Sequence, residues 1–361
     1  MTVVEQANLL FDRTDELGTA GHEQVVLCQD KATGLQAIIA IHDTRLGPAL
    51  GGTRFYPYAS ESQALTDVLR LSQGMTHKAA AAGMALGGGK AVIIGDPSDL
   101  KTPDLLHAYG RFVDSLSGRY YTAADVGTTS ADLDLIASST GFVVGTNKGS
   151  GDSGYSTAYG VFRAMHAAAE LTWGKTALAG CTVAVEGVGK VGGHLVGLLL
   201  AEGAEVTVSD PTDAAIARLL KEHPGVTVRH AALDAPVDIY APCALGGTLT
   251  PATVAELQAT VVCGAANNQL LDSSVASLLQ SRGITWVPDF VANAGGLIQV
   301  GGEIWQRTEQ QVRDDVSRIA ETVHSILTQA QATGRLPGQV AADIVEERLA
   351  AATPRSPGSQ S

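Results

Sequence analysis

The sequence predicts an α/β protein of two domains, with a doubly wound parallel sheet in its second half. Three observations carry this. The chain has 361 residues and is 45% hydrophobic, enough for a sizeable core in each of two domains. From residue 181 onward, short β-prone runs alternate with helical ones, the pattern of parallel strands joined by crossover helices. Glycine is abundant at 41 residues and aromatic residues are scarce at 5%, which suits many tight strand–helix turns.

The elements follow in order. Residues 24–29 (QVVLCQ) and LQAIIAIH (35–42) read as a hairpin around DKATG. From Ser60 to about Lys78, Leu65, Val68, Leu69 and Met75 recur at three- and four-residue spacing, a helix. A glycine loop, 83–90, folds the chain back into a strand at Ala91–Ile94. A helix over about 102–116, a short strand ending near Thr122 and a helix through Asp132–Ser138 complete a first domain, 1–145. TNKGSGDSG (146–154) is the best linker candidate. A long helix, 155–173, leads into CTVAVE, a helix from about 190, EVTVSD, another helix, VDIYA, TVVCGA and ITWVP, a second domain over 146–324. Two C-terminal helices, about 309–333 and 337–352, follow, and the part from 325 to 352 is expected to pack back on the first domain. TPRSPGSQS (353–361) reads as a disordered tail.

Several function classes are excluded. A net charge of −13 argues against a nucleic-acid partner. The opening stretch MTVVEQANLLFDRTDE has no basic segment and no apolar run of signal length. The longest apolar runs, such as Leu195–Ala201, fall far short of the roughly 20 residues that span a bilayer. The expectation is a cytoplasmic protein with no membrane partner. Cys28, Cys181, Cys243 and Cys263 lie far apart with no C-x-x-C, and the histidines show no ligand spacing, so no metal is expected.

GMALGGGKAVIIGDP (83–97) places glycines before a lysine, as a phosphate loop does. A Walker loop needs G-x-x-x-x-G-K-[ST] running from strand to helix. Here Met84 holds the first glycine's place, Ala91 follows Lys90, and the run leads into a strand. The remaining plain reading is a tight turn with a snorkelling lysine.

The better phosphate candidate is Gly187-Val188-Gly189-Lys190-Val191-Gly192, which follows the strand Cys181–Glu186 and opens a helix. The next strand ends in Asp210. This is the Rossmann arrangement for a dinucleotide. The first glycine makes the turn, the second admits a pyrophosphate to the helix N-terminus, and the third allows close helix–strand packing. Asp210 can accept from a ribose diol and repels a 2′-phosphate, and no arginine follows it until Arg218, so NAD is expected rather than NADP. Glu186, beside the turn, is an oddity, since a carboxylate gains nothing from a diphosphate.

A nucleotide domain in the second half implies a substrate domain in front of it. Three segments there carry unusual chemistry: GPALGGTR (47–54), GMTHKAAAAGMALGGGK (74–90) and TAADVGT (122–128). Lys78 lies near the end of one helix and Lys90 at the start of the next strand. If both enter one cleft, each disfavours the other's charge and one amine becomes a general base. Asp125 supplies a carboxylate that orients the base or relays a proton.

These segments, with DVGTTSADLD, GVGKVGG, APCALGG, CGAANNQL and PDFVANAGG, resemble the glutamate/leucine/phenylalanine/valine dehydrogenase family of amino-acid dehydrogenases. The resemblance runs from about Gly21 to Ala350 and is strongest to the branched-chain members. It implies an N-terminal substrate and oligomerisation domain, a homo-oligomer, and NAD-dependent oxidative deamination to a 2-oxo acid and ammonia. It also implies that Lys78 binds the substrate carboxylate, Lys90 is the catalytic acid/base and Asp125 its partner. Gly51 and Gly52 would line the carboxylate site, and Asn267 and Asn293 would lie where nicotinamide and substrate meet. Arg54, Asp125, Val126, Thr157, Ala241, Ala265 and Ala266, with Asn267, would complete the cofactor cleft.

Glutamate-specific relatives carry lysine where this chain has Leu50, so glutamate is a poor substrate. Leu50, Ala123, Leu297 and Val300 should line the side-chain pocket, and leucine at 297 leans toward a small aliphatic amino acid such as valine. Phenylalanine is the alternative within the family, and a catalytically dead NAD-binding protein the alternative outside enzymes. GGEIWQRTE (301–309) departs from the branched-chain pattern and looks shortened.

Overall fold

The computed structural model describes residues 21–352; the opening stretch and the expected tail at 353–361 lie outside the described residues. The chain divides into two units, one up to Gly151 and again from Leu349, the other from Asp152 to Arg348. The division falls inside the expected linker, six residues later than the boundary drawn at 145.

The first unit holds a five-stranded mixed sheet. Strands β1 (Gln24–Asp30) and β2 (Leu35–Asp43) form the expected hairpin, with Gly34 at φ +76° in its turn. Strand β3 (Ala49–Tyr56) leads to helix α1 (Glu61–Ala81), capped by Ser60 through the Gln63 amide. Strand β4 (Gly87–Ile94), helices α2 (Pro97–Leu100) and α3 (Pro103–Asp114), strand β5 (Tyr120–Ala124) and helix α4 (Ser130–Ala137) follow. The strand order is β1-β2-β4-β3-β5, with β3 parallel to both β4 and β5. One face, through Ile38, Ala40 and Val92, buries Ala64, Val68 and Leu69 of α1. The other, through Ile39, Ile41, Phe55 and Ile93, packs on Tyr109 of α3 and Ile136 of α4. Both faces are covered, which explains why the strands read as unbroken apolar runs.

The glycine run 87–89 corrects one expectation. It is strand, not loop: Gly87, Gly88 and Ala91 to Ile94 pair with β3, Gly88 to Ile93 pair with β2, and the reversal occurs earlier, at Gly83 with φ +69°. A Cβ on Gly88 would stand 2.1 Å from the Thr76 amide of α1, and one on Gly89 would meet the Tyr120 ring at 2.7 Å. The glycines let a helix and an aromatic ring press on the two faces of one strand.

The second unit opens with α5 (Gly154–Trp173) and then alternates as expected: β6 (Thr182–Glu186), α6 (Lys190–Glu202), β7 (Glu205–Ser209), α7 (Asp213–Glu222), β8 (Thr227–Val228), β9 (Ile239–Pro242), α8 (Pro251–Glu256), β10 (Val261–Val262), α9 (Ser274–Ser281) and β11 (Thr285–Trp286). The six strands are all parallel in the order β11-β10-β9-β6-β7-β8, so the order reverses beside β6, where doubly wound sheets bind ligands. Strand β8 is too short to stand out in the sequence.

Helices α10 (Asp289–Ala292), α11 (Gly295–Ile304), α12 (Glu309–Ser317), α13 (Ile319–Thr333) and α14 (Pro337–Ala351) complete the chain. The expected single helix 309–333 is two, meeting at Arg318. The C-terminal helices pack back, but α13 packs on α5 within the second unit, and only the end of α14, from Leu349, groups with the first. There Arg45 donates to the Leu349 carbonyl at 3.3 Å.

Candidate active site

In the first unit Lys90, Gly51, Gly52, Arg54 and Asp125 come together across β4, β3 and the end of β5. Position 88 faces α1, so Lys90, two residues along the same strand, points to that face as well. Lys78 stands half-buried in the last turn of α1. Lys90 Nζ is ion-paired with Asp125 Oδ2, the side chains being 9% and 15% exposed. Asp125 sits just past β5, where its backbone amide donates to Thr128 Oγ1 and its carboxylate accepts from the Val126 amide at 2.5 Å. Burial pushes the Asp125 carboxyl up, but the Lys90 ammonium, the Val126 amide and Arg54 together outweigh it and hold the group below the usual carboxylate range.

Gly51 and Gly52 are buried in β3 beside this pair. A Cβ on Gly51 would stand 1.7 Å from the Gly89 carbonyl, and one on Gly52 would meet the Ala124 carbonyl at 2.5 Å and Asp125 Cβ at 3.0 Å. Neither position tolerates a side chain, so the strand passes close under Asp125. Leu50 is 1% exposed and Ala123 is buried, whereas Val126 is exposed. Arg54 reaches Asp125 Oδ1 at 3.7 Å and Asp67 Oδ2 at 2.8 Å. Tyr58 donates to the same Asp67 oxygen at 2.5 Å. Sequence reasoning missed Asp67 and Tyr58; their signal, a polar residue on the inner side of an otherwise amphipathic helix, is weak without a fold.

In the second unit the turn after β6 has the form a dinucleotide needs. Gly187 has φ +92° and its position abuts the Ala244 amide, so a side chain is excluded twice over. A Cβ on Gly192 would lie 1.9 Å from the Gly187 carbonyl, which brings α6 hard against the strand. Gly189, by contrast, faces open space, and no side chain caps α6. The first amides of a 13-residue helix are thus presented beside an uncrowded approach, which fits a diphosphate. Val188 is buried, Val191 half-buried, and Lys190 is exposed, paired with Asp152 at 3.3 Å. Asp210 accepts from the Val188 and Thr212 amides, each at 2.8 Å, and so braces the turn from the end of β7. Glu186 finds its explanation here: Tyr240 of β9 donates to it at 2.8 Å, so the carboxylate is tied to the neighbouring strand.

The other expected residues of this unit fall into one neighbourhood. Asn293, 4% exposed, donates through Nδ2 to the Ala265 carbonyl at 3.1 Å and to Asn267 Oδ1 at 2.9 Å. Ala241 is fully buried in β9, and Ala266 is buried next to Asn267. Thr157 lies against the start of α11, 2.6 Å from where a Gly296 Cβ would be; Leu297 is buried and Val300 half-buried on that helix. Gln269 and Asp289, unremarked in the sequence, hold this loop. Asp289 accepts from the Gln269 amide at 2.8 Å, while the Gln269 side chain donates to the Gly264 carbonyl at 3.0 Å and accepts from Trp286 at 3.1 Å. The departing segment 301–309 ends α11 and supplies Thr308, which caps α12 with a capping box.

Among the described residues no group of three or more His, Cys, Asp or Glu side chains could hold a metal ion. No described helix is long and apolar enough to cross a membrane.

Comparison with known proteins agrees with this geometry. Residues 22–141 match the family model described as Glu/Leu/Phe/Val dehydrogenase, dimerisation domain, and residues 214–355 match that of glutamate/leucine/phenylalanine/valine dehydrogenase. A valine dehydrogenase of Streptomyces coelicolor is 52% identical over 343 residues, covering 93% of this chain and 94% of that one. A leucine dehydrogenase of Geobacillus stearothermophilus is 46% identical over 336 residues, covering 92% and 91%. The crystal structure of an L-tryptophan dehydrogenase from Nostoc punctiforme superimposes with a TM-score of 0.82 at 43% identity, over 93% of this chain and 97% of that one. The chain belongs to the glutamate/leucine/phenylalanine/valine dehydrogenase family and is an amino-acid dehydrogenase.

Proposed function

We propose that the protein catalyses the NAD-dependent oxidative deamination of a small aliphatic L-amino acid, valine foremost, to the 2-oxo acid and ammonia, and the reverse reductive amination. The observation that carries the mechanism is the buried Lys90–Asp125 ion pair on the face of the sheet that α1 covers. Lys78 binds the substrate carboxylate and so fixes which face of Cα is presented. Bound nicotinamide dinucleotide supplies the hydride acceptor. Lys90, once its ammonium proton has passed to Asp125, takes a proton from the water that adds to the resulting substrate iminium; the proton held by Asp125 then returns through Lys90 to the amino nitrogen as the carbinolamine releases ammonia. The sum is amino acid, NAD⁺ and water giving 2-oxo acid, ammonium, NADH and a proton.

Asn267 and Asn293 orient substrate and nicotinamide, with Thr157, Ala241, Ala265 and Ala266 around them; Gly51 and Gly52 line the carboxylate site with backbone alone. NAD over NADP is supported by Asp210 at the end of β7, since its carboxylate opposes a 2′-phosphate. Valine over glutamate is supported by Leu50, an apolar side chain 1% exposed that offers a side-chain carboxylate no partner, and by Leu297 and Val300 as further apolar lining. The match to a dimerisation domain supports a homo-oligomer, and four free thiols suit the cytoplasm.

NADH formation from NAD and a panel of L-amino acids tests this reading. Valine, leucine and 2-aminobutyrate should react, glutamate should not, and NADP should replace NAD poorly. Phenylalanine as the best substrate would overturn the small-aliphatic assignment. No NADH with any amino acid would overturn the activity.

A further inference from the structure

Lys90, Asp125, Arg54, Asp67 and Tyr58 form one chain of alternating charge that runs from β4 across β3 to α1. Arg54 is the middle member. Its guanidinium reaches Asp125 on one side and Asp67 on the other, and the distances are unequal: 3.7 Å to Asp125 Oδ1 and 2.8 Å to Asp67 Oδ2. The stronger bond holds the arginine away from the catalytic pair. Asp67 is itself fixed by the 2.5 Å bond from Tyr58. We infer that Asp67, locked by Tyr58, is a positioning residue: it retains Arg54 at a distance from which the guanidinium steadies Asp125 Oδ1 without drawing Oδ2 off Lys90. The inference rests on the role proposed above for Asp125.

The physical reason is competition for one carboxylate. An arginine with a single acidic partner closes on it with two parallel bonds, which engage both oxygens. With Asp67 in place, one arm of Arg54 is committed elsewhere and Oδ2 stays with Lys90. Without it, Arg54 and Lys90 compete for Asp125, and the uncompensated guanidinium favours the ionised form of Asp125 more strongly. The other groups around Asp125, Lys90 of β4 and Tyr120 of β5, are unchanged by the substitution. Asp67 and Arg54 also line a cavity of about 510 Å³ with Tyr58 and Arg70, and the Asp67 side chain is 27% exposed, so an amide there is solvated rather than trapped.

The test is a kinetic comparison of Asp67→Asn, Asp67→Glu, Tyr58→Phe and Asp125→Asn in the full chain, with melting temperatures alongside. Asp67→Asn should lower kcat by about tenfold or more, keep KM for amino acid and NAD within about threefold, and move the acidic limb of the kcat/KM–pH profile to lower pH. Asp67→Glu should restore most of kcat, and Tyr58→Phe should shift the same limb in the same direction by less. Wild-type kcat and an unmoved limb in Asp67→Asn would overturn the inference. So would a loss of kcat with an unmoved limb and a lowered melting temperature, which marks a merely structural residue. Asp125→Asn separates the two claims: turnover retained there overturns the role of Asp125, whereas turnover lost there with Asp67→Asn unchanged overturns only the role of Asp67.

Discussion

Lys90 and Asp125 meet as a buried ion pair although they come from different strands, β4 and the end of β5, that are not neighbours in the sheet. Strand β3 lies between them, and its glycines at 51 and 52 let the Gly89 and Ala124 carbonyls and Asp125 Cβ come closer than any side chain would allow. The pair therefore depends on backbone positions as much as on its own side chains.

The first prediction concerns Gly88. A Cβ at this position meets the Thr76 amide at 2.1 Å and the Ser72 carbonyl at 2.5 Å, both backbone atoms of α1. Gly88→Ala should push α1 off the sheet and destabilise the first unit by about 3 kcal/mol or more. Urea unfolding would measure the loss, and activity should fall with it because α1 carries Lys78.

Gly189 and Gly192 should behave oppositely, although both belong to the glycine fingerprint. Gly192→Ala places a methyl 1.9 Å from the Gly187 carbonyl and should cost about 2 kcal/mol or more of stability. Gly189→Ala meets no protein atom within 4 Å and should leave the melting temperature nearly unchanged. It should still weaken NAD binding by about tenfold or more, because the methyl occupies the approach to the α6 amides. Titration of NAD by fluorescence, with thermal unfolding of the same samples, distinguishes the two.

His42 predicts a pH dependence of stability. It is 4% exposed in β2, bonded through Nδ1 to Thr76 Oγ1 at 2.8 Å, and its Nε2 is buried without a partner. Burial, assisted by the neighbouring His22 and His77, lowers its pKa to about 4. The unfolded chain therefore binds a proton at this site at higher pH than the folded one. The stability is fully present above the unfolded value of about 6.5 and is lost as pH falls from there toward 4, by up to about 3 kcal/mol. His42→Gln should flatten the difference in unfolding free energy between about pH 7.5 and pH 5. An unchanged difference would assign the effect to other groups, His22 first, whose pKa burial also lowers.

The legible parts of the molecule were those whose chemistry is local. The parallel sheet could be read from strand–helix alternation, and the dinucleotide turn from glycines whose spacing reflects contacts within one strand–turn–helix unit. Lys78, Lys90 and Asp125 stood out as charges among small and apolar residues. The glycines at 87–89 misled, because a run of glycines usually marks a turn, and only the packing of α1 and Tyr120 on opposite faces shows why a strand needs them. The Asp67–Tyr58 brace and the Gln269–Asp289 network were not legible, since each joins residues whose roles appear only when separate elements meet. Glu186 looked anomalous for the same reason, its partner Tyr240 being 54 residues away.

The most direct measurement is the turnover of Lys90→Ala against wild type in NADH formation from L-valine, with NAD affinity and melting temperature measured on the same preparations. A kcat lower by about 10²–10⁴, with NAD affinity and stability preserved, is the result expected if Lys90 moves the proton in the hydration step. A kcat within about tenfold of wild type would contradict that role and, with it, the account of the site.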